Sequence, residues 1–181
     1  DIGELVNGKY LRITDRKKDI FKLSAGKYIA PQIIENKLRE SEYVEQAMVV
    51  GANEKFAAAI IAPNFNTLHY WALKHKLHYR DNADLITQPQ VLTKFQEIID
   101  KYNPNFAAHE QIKKFKLVAD DWTTASGLLS PTLKLKRNIL SNKYKELIQD
   151  IYGHTEASAG GILSAFRGVE LPSILKTKNK E

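Results

Sequence analysis

Two stretches of this chain combine residue types in a spacing that can do chemistry. The first runs Ile13-Thr14-Asp15-Arg16-Lys17-Lys18-Asp19-Ile20-Phe21-Lys22-Leu23-Ser24-Ala25-Gly26-Lys27-Tyr28-Ile29-Ala30-Pro31. As a bare pattern it is either a solvated charged turn between two strands or a hinge followed by a glycine turn, where a ligand approaches the backbone closely. The second is Leu129-Ser130-Pro131-Thr132-Leu133-Lys134-Leu135-Lys136-Arg137. It reads either as a loop entering a basic first helical turn or as a cationic site. Cations at a helix N-terminus oppose the macrodipole, so a visiting anion would account for the cluster more easily than solvent does.

Other groupings carry less. His75 and His78 lie three apart and can share a helix face, with His69 upstream, but no carboxylate or cysteine joins them at the spacing of a three- or four-ligand site, so no metal site is expected. Tyr70, Trp71, Tyr79 and Trp122 are interleaved with basic residues. That mixture fits a nucleic-acid surface only loosely, since aromatics at helical spacing are more often core.

Composition sets the bounds. The 181 residues, 43% hydrophobic and 27% charged, suit one compact domain with short appendages. The absence of cysteine excludes disulfides and thiolate metal sites, and fits a reducing compartment. A net charge of +6 favours anionic partners such as nucleotide phosphates, CoA, nucleic acid or an acidic membrane face without choosing among them. No apolar run approaches the roughly 20 residues of a membrane span. The opening Asp1-Ile2-Gly3-Glu4 reads as though cut from something longer.

The elements that must position the two clusters are legible. Asn7-Gly8 between apolar runs predicts a hairpin. Short strands are expected at 20–23 and 27–29, around a turn at Ser24-Ala25-Gly26. Pro31 suits the first position of a helix to about Arg39, with Ile33, Ile34 and Leu38 inward and Glu35 exposed or paired. Buried strands are expected at 44–50 and 57–62, helices in two pieces over 64–102, and a third strand at 113–118. A loop over 120–131 then leads to a last helix over 136–151 that buries Ile139, Leu140, Leu147 and Ile148. The fold expected is α+β: a small mixed or antiparallel sheet with flanking helices.

Taken together, the two clusters resemble motifs of the adenylate-forming superfamily, specifically the long-chain fatty acid–CoA ligases. The segment 15–35 resembles the motif joining that family's large N-terminal domain to its small mobile C-terminal lid, and 131–137 resembles its last motif. The stretch 44–65, with Val49-Val50-Gly51 and Ala62-Pro63-Asn64-Phe65, is similar to the long-chain subfamily. The resemblance covers about residues 1–152. It implies that Lys134 is the adenylation lysine, although the commoner pattern is Thr-Gly-Lys where this chain has Thr132-Leu133-Lys134, and Lys136 lies two residues on. It further implies that Asp1 binds the ribose hydroxyls of ATP, Arg16 contacts the ribose and phosphates, Lys18 is the hinge, and Gly26 lines the pantetheine channel.

The implied enzyme activates a fatty acid with ATP to acyl-AMP plus pyrophosphate, then transfers the acyl group to CoA. ATP and CoA are substrates, and Mg2+ is expected to be held mainly by the N-terminal domain. Residues 1–18 are read as the end of that domain and the hinge, 19–152 as the lid, and 153–181 as a mobile tail. The partners implied are the enzyme's own N-terminal domain, fatty acid, ATP and CoA, with no nucleic acid; the alternative is a basic module for nucleic acid or another acidic partner. The expected location is cytoplasmic, with peripheral membrane contact left open. The chain alone is expected not to synthesise acyl-CoA.

Overall fold

The computed structural model describes residues 2–7, 9–15 and 19–153. Asn7, at φ +54°, lies between strands β1 (Ile2–Val6) and β2 (Tyr10–Asp15), which pair antiparallel. A second small hairpin joins β3 (Phe21–Lys22) to β4 (Tyr28–Ile29). Helix α1 (Pro31–Leu38) starts on its proline, which has no N–H to leave unsatisfied. Next come β5 (Val44–Val50), β6 (Ala57–Pro63), α2 (Phe65–Lys74), the single turn α3 (Asn82–Leu85) and α4 (Pro89–Tyr102). After β7 (Ile112–Leu117) and a long loop, α5 (Arg137–Lys143) and α6 (Lys145–Tyr152) complete the described chain. Gly153 ends α6 in a left-handed conformation.

The centre is a three-stranded sheet in the order β5-β6-β7, antiparallel on one side of β6 and parallel on the other. This is the expected α+β class with a small mixed sheet. β6 is buried along its whole length, and because successive side chains point to opposite faces, it feeds two cores. Ala57, Ala59 and Ile61 join Leu23, Ile29, Ile34, Leu68, Phe95 and their neighbours on one face. Ala58, Ile60 and Ala62 join Trp122, Leu128, Leu129, Leu140, Tyr144 and Ile151 on the other. The 24–27 turn is therefore anchored on one face of the sheet and the lysine-bearing loop on the opposite one.

Three expectations are corrected in detail. Ile33 is 45% exposed while its neighbour Ile34 is 1% exposed; adjacent helical residues diverge by about 100°, and a two-turn helix has one buried stripe. The final helix is two helices broken at Tyr144, whose hydroxyl accepts from Trp122 Nε1 at 2.9 Å and donates to Asp120 Oδ2 at 2.8 Å. Ile139 is 47% exposed, and Ile151 takes the inward place with Leu140. No helix among the described residues is long and apolar enough to cross a membrane.

Candidate functional site

The second cluster folds into a tight loop between the buried Leu128–Leu129 pair and the first turn of α5. Leu129 and Leu135 form an antiparallel bridge, and the Lys136 amide donates to the Leu128 carbonyl at 3.0 Å. Inside that frame Ser130 organises the turn. Its amide donates to the Lys134 carbonyl (2.8 Å), its carbonyl accepts from the Leu133 amide (2.8 Å), and its Oγ accepts from the Lys134 amide at 3.0 Å. A 3.0 Å contact joins the same Oγ to the Thr132 hydroxyl. Leu133 sits at φ +57°, in the left-handed region that glycine occupies without penalty. A glycine here, as in the Thr-Gly-Lys pattern that this motif resembles, would take the same conformation without that penalty.

Lys134 is exposed at the end of this turn. It lines a cleft of about 260 Å³ together with Gln32, Asn36, Arg39 and Gln46, and a wider adjoining one with Ser130, Lys136 and Asn138. Lys136 is also exposed but lines only the second. Among the described residues neither ammonium has a carboxylate within 4.0 Å.

Arg137 differs. Its guanidinium forks onto Glu35, with Nη1 to Oε1 at 2.8 Å and Nη2 to Oε2 at 2.6 Å, and its Nε lies 4.0 Å from Asp19 Oδ1. Glu35 is 4% exposed and its Oε1 also accepts from the Val49 amide on the free edge of β5 at 2.7 Å. One of the three cations at the start of α5 is thus answered from within the fold, which narrows the argument for a visiting anion to Lys134 and Lys136. Sequence spacing could not reveal this pair, whose members are 102 residues apart.

Behind the loop, Lys143 Nζ reaches Asp120 Oδ1 at 2.9 Å. Burial raises the Asp120 carboxyl, but hydrogen bonds from Lys143 and Tyr144 outweigh it and hold the group below its ordinary range. Burial, reinforced by Asp120, pushes the Tyr144 hydroxyl up, so it remains a donor.

The first cluster is placed differently. Gly26 takes φ +84° in the β3–β4 turn, where a Cβ would meet only Lys22 Cε at 3.6 Å. Backbone bonds hold the turn: Leu23 N to Lys27 O, Gly26 N to Leu23 O, Ser24 N to Glu54 O and Asn53 N to Lys22 O, all 2.8–2.9 Å. No residue of the 24–27 turn lines either cleft beside Lys134. Asp1, Arg16 and Lys18 lie outside the described residues.

The remaining groupings turn inward on themselves. His69 shares a 2.7 Å hydrogen bond with Asn82 and stacks on Tyr79, and His75 donates to the Trp71 carbonyl and stacks on its ring. Trp122 is core, whereas Tyr70 is exposed under Lys74.

Comparison with known proteins places this geometry. Residues 18–156 match the family described as the AMP-binding enzyme C-terminal domain. Over 155 residues the chain is 36% identical to the human long-chain-fatty-acid–CoA ligase 6, covering 84% of this chain and 22% of that protein. It is 31% identical over 153 residues to the long-chain-fatty-acid–CoA ligase FadD15 of Mycobacterium tuberculosis, covering 84% of this chain and 26% of the relative. The chain therefore spans about a quarter of the length of these relatives. Among solved structures, it is similar to the adenylation domain of a carboxylate reductase from Mycobacterium chelonae (TM-score 0.62, 25% identity, 80% of this chain and 21% of that one). The adenylation domain of the Segniliparus rugosus carboxylic acid reductase, in complex with AMP and a co-purified carboxylic acid, shares the fold (TM-score 0.64, 22% identity, 84% of this chain and 22% of that one). None of this supports the alternative of a nucleic-acid module. The mixed sheet, the lysine loop and the sequence match agree, and the chain belongs to the family of AMP-binding enzyme C-terminal domains, with long-chain fatty acid–CoA ligases as its relatives.

Proposed function

We propose that this chain is the mobile lid of an AMP-forming long-chain fatty acid–CoA ligase, and that Lys134 is the cation it brings to adenylation. The observation that carries the reading is the Ser130-organised turn, which presents Lys134 outward beside a cleft while its neighbours stay tied to the core. In adenylation a fatty carboxylate oxygen bonds to the α-phosphorus of ATP as the bond to pyrophosphate breaks. Negative charge concentrates between two anions. A lysine ammonium is a compact charge on a flexible stem, able to bridge carboxylate and phosphate oxygens. Charge placed in advance in this way is worth about 3–4 kcal/mol, or roughly 10²- to 10³-fold in rate.

The second half-reaction needs a different face. The CoA thiol attacks the acyl carbon and AMP leaves, so the lid must withdraw Lys134 and present the Gly26 turn, whose lack of a side chain leaves room for pantetheine. Rotation about Lys18 accomplishes this, with residues 1–18 as the end of the N-terminal domain and hinge, 19–152 as the lid and 153–181 as a tail. Asp1 and Arg16 then contact the nucleotide. Mg2+ would be held mainly by the N-terminal domain.

Half-reactions of the complete enzyme test the reading. Lys134→Ala is expected to lower ATP–pyrophosphate exchange by at least about 10²-fold while sparing thioester formation from supplied acyl-adenylate. Lys136→Ala is expected to have a small effect on both. The reverse ranking of the two lysines would move the assignment to Lys136.

A further inference from the structure

The lysine loop is pinned to the lid at both ends, and the two pins differ in kind. On its N-terminal side the ties are backbone bonds to Leu128 and Leu129, whose side chains are buried in the core on one face of the sheet. On its C-terminal side, three residues beyond Lys134, the tie is the Arg137–Glu35 fork. Glu35 belongs to α1, and the neighbouring α1 residues Ile34 and Leu38 pack in the core on the other face. The carboxylate also takes the Val49 amide at the β5 edge, so the pair reaches around that edge and joins the two faces.

A buried carboxylate is costly unless its partners are fixed in place, and a bidentate guanidinium fixes direction as well as distance. Without the fork, the first turn of α5 keeps its helical bonds but loses its bidentate contact with α1. Lys134 moves with it.

We infer that Glu35 and Arg137 are positioning residues for adenylation, acting through Lys134 by fixing the loop that carries it. The inference rests on the assignment of Lys134 above. It separates the half-reactions, because the backbone bonds that hold the Gly26 turn among the described residues run to Lys22, Leu23, Lys27 and Glu54 rather than to the fork. A misplacement of about 1 Å at a reacting group costs on the order of 10²-fold.

The test uses the complete enzyme with Arg137→Lys, Glu35→Gln, Lys134→Ala and the double variant Lys134→Ala/Arg137→Lys. Arg137→Lys keeps the charge and removes the fork; Glu35→Gln keeps an acceptor for the Val49 amide and removes the charge. ATP–pyrophosphate exchange and thioester formation from supplied acyl-adenylate are measured for each, beside a thermal melt. Arg137→Lys and Glu35→Gln are expected to lose about 10²-fold in exchange and only a few-fold in thioester formation. In the Lys134→Ala background, Arg137→Lys is expected to cost nothing further, since a residue that acts through Lys134 has nothing left to position.

Equal loss in both half-reactions, or a full additional loss in the double variant, would make the pair a general structural support and overturn the inference. If Arg137→Lys melts below the assay temperature, Glu35→Gln decides: wild-type exchange in a folded Glu35→Gln enzyme also overturns it. A Lys134→Ala enzyme that still exchanges at the wild-type rate overturns the assignment of Lys134 and this inference together. A dead Lys134→Ala enzyme beside fully active Arg137→Lys and Glu35→Gln enzymes overturns the inference alone.

Discussion

The 24–27 turn and the 130–137 loop place a left-handed residue at the tip of a tight turn, yet they are built in opposite ways. Gly26 occupies φ +84° with backbone bonds around it and room for a Cβ in ordinary contact with Lys22 Cε. Leu133 occupies φ +57° although it has a side chain, which is 65% exposed. The lysine loop compensates with side-chain ties: Ser130 Oγ to the Lys134 amide on one side, the Arg137–Glu35 fork on the other. The contrast fits the two roles proposed above. On the proposed reading, a channel wall needs absence of bulk, which glycine alone supplies. A loop that presents a charge needs a fixed origin for a flexible side chain, and only directional contacts supply that.

The sharpest way to break this contrast is to remove the directional contact entirely. Glu35→Ala deletes a buried carboxylate and leaves the Arg137 guanidinium and the Val49 amide without it. Breaking a buried pair from one side costs about 3–5 kcal/mol; Arg137 retains some solvent access, at 21% side-chain exposure, so the lower end applies. Urea unfolding is expected to show a loss of about 3 kcal/mol. A loss below about 1 kcal/mol, the value typical of exposed pairs, would mean that the fork does not fasten the loop.

Gly26→Ala probes the other region and should cost less. The added Cβ makes only an ordinary contact with Lys22 Cε at 3.6 Å, so the penalty is that of the left-handed backbone, about 1–2 kcal/mol. Its functional signature should be the mirror image of the Arg137 variants: slower thioester formation from supplied acyl-adenylate, with ATP–pyrophosphate exchange kept. Loss of exchange instead would place the turn on the adenylation face.

How much of this was legible in advance depends on the range of the interaction. Local signals carried well: Pro31 opening α1, the Asn7 turn, the continuous apolar run of β6 and the buried strand β5 all stand where the pattern placed them. The motifs that hold Lys134 and Gly26 were legible because they are contiguous. Contacts between distant segments did not carry. The last helix breaks at Tyr144, whose hydroxyl bridges Trp122 and Asp120, more than twenty residues back. Glu35 looked like any helical glutamate, exposed or paired, until α5 was folded against α1 and supplied Arg137. Ile33 and Ile139 look like core residues by type, and only the packing direction of α1 and α5 leaves them outside.

The smallest effect tests whether the lysine loop's ties do compensate for its backbone. Replacing Leu133 by Gly removes the left-handed penalty of about 1–2 kcal/mol but restores freedom to the unfolded chain, at a cost of about 0.5–1 kcal/mol. Because the side chain is largely exposed, little apolar burial is lost with it. The difference leaves Leu133→Gly more stable by about 0.5 kcal/mol in urea unfolding, with exchange activity unchanged. A glycine variant that is more stable yet slower in exchange would sharpen the contrast in another direction. It would show that the leucine side chain, which lines the same cleft as Lys134, contributes to holding the ammonium's approach rather than merely tolerating the turn.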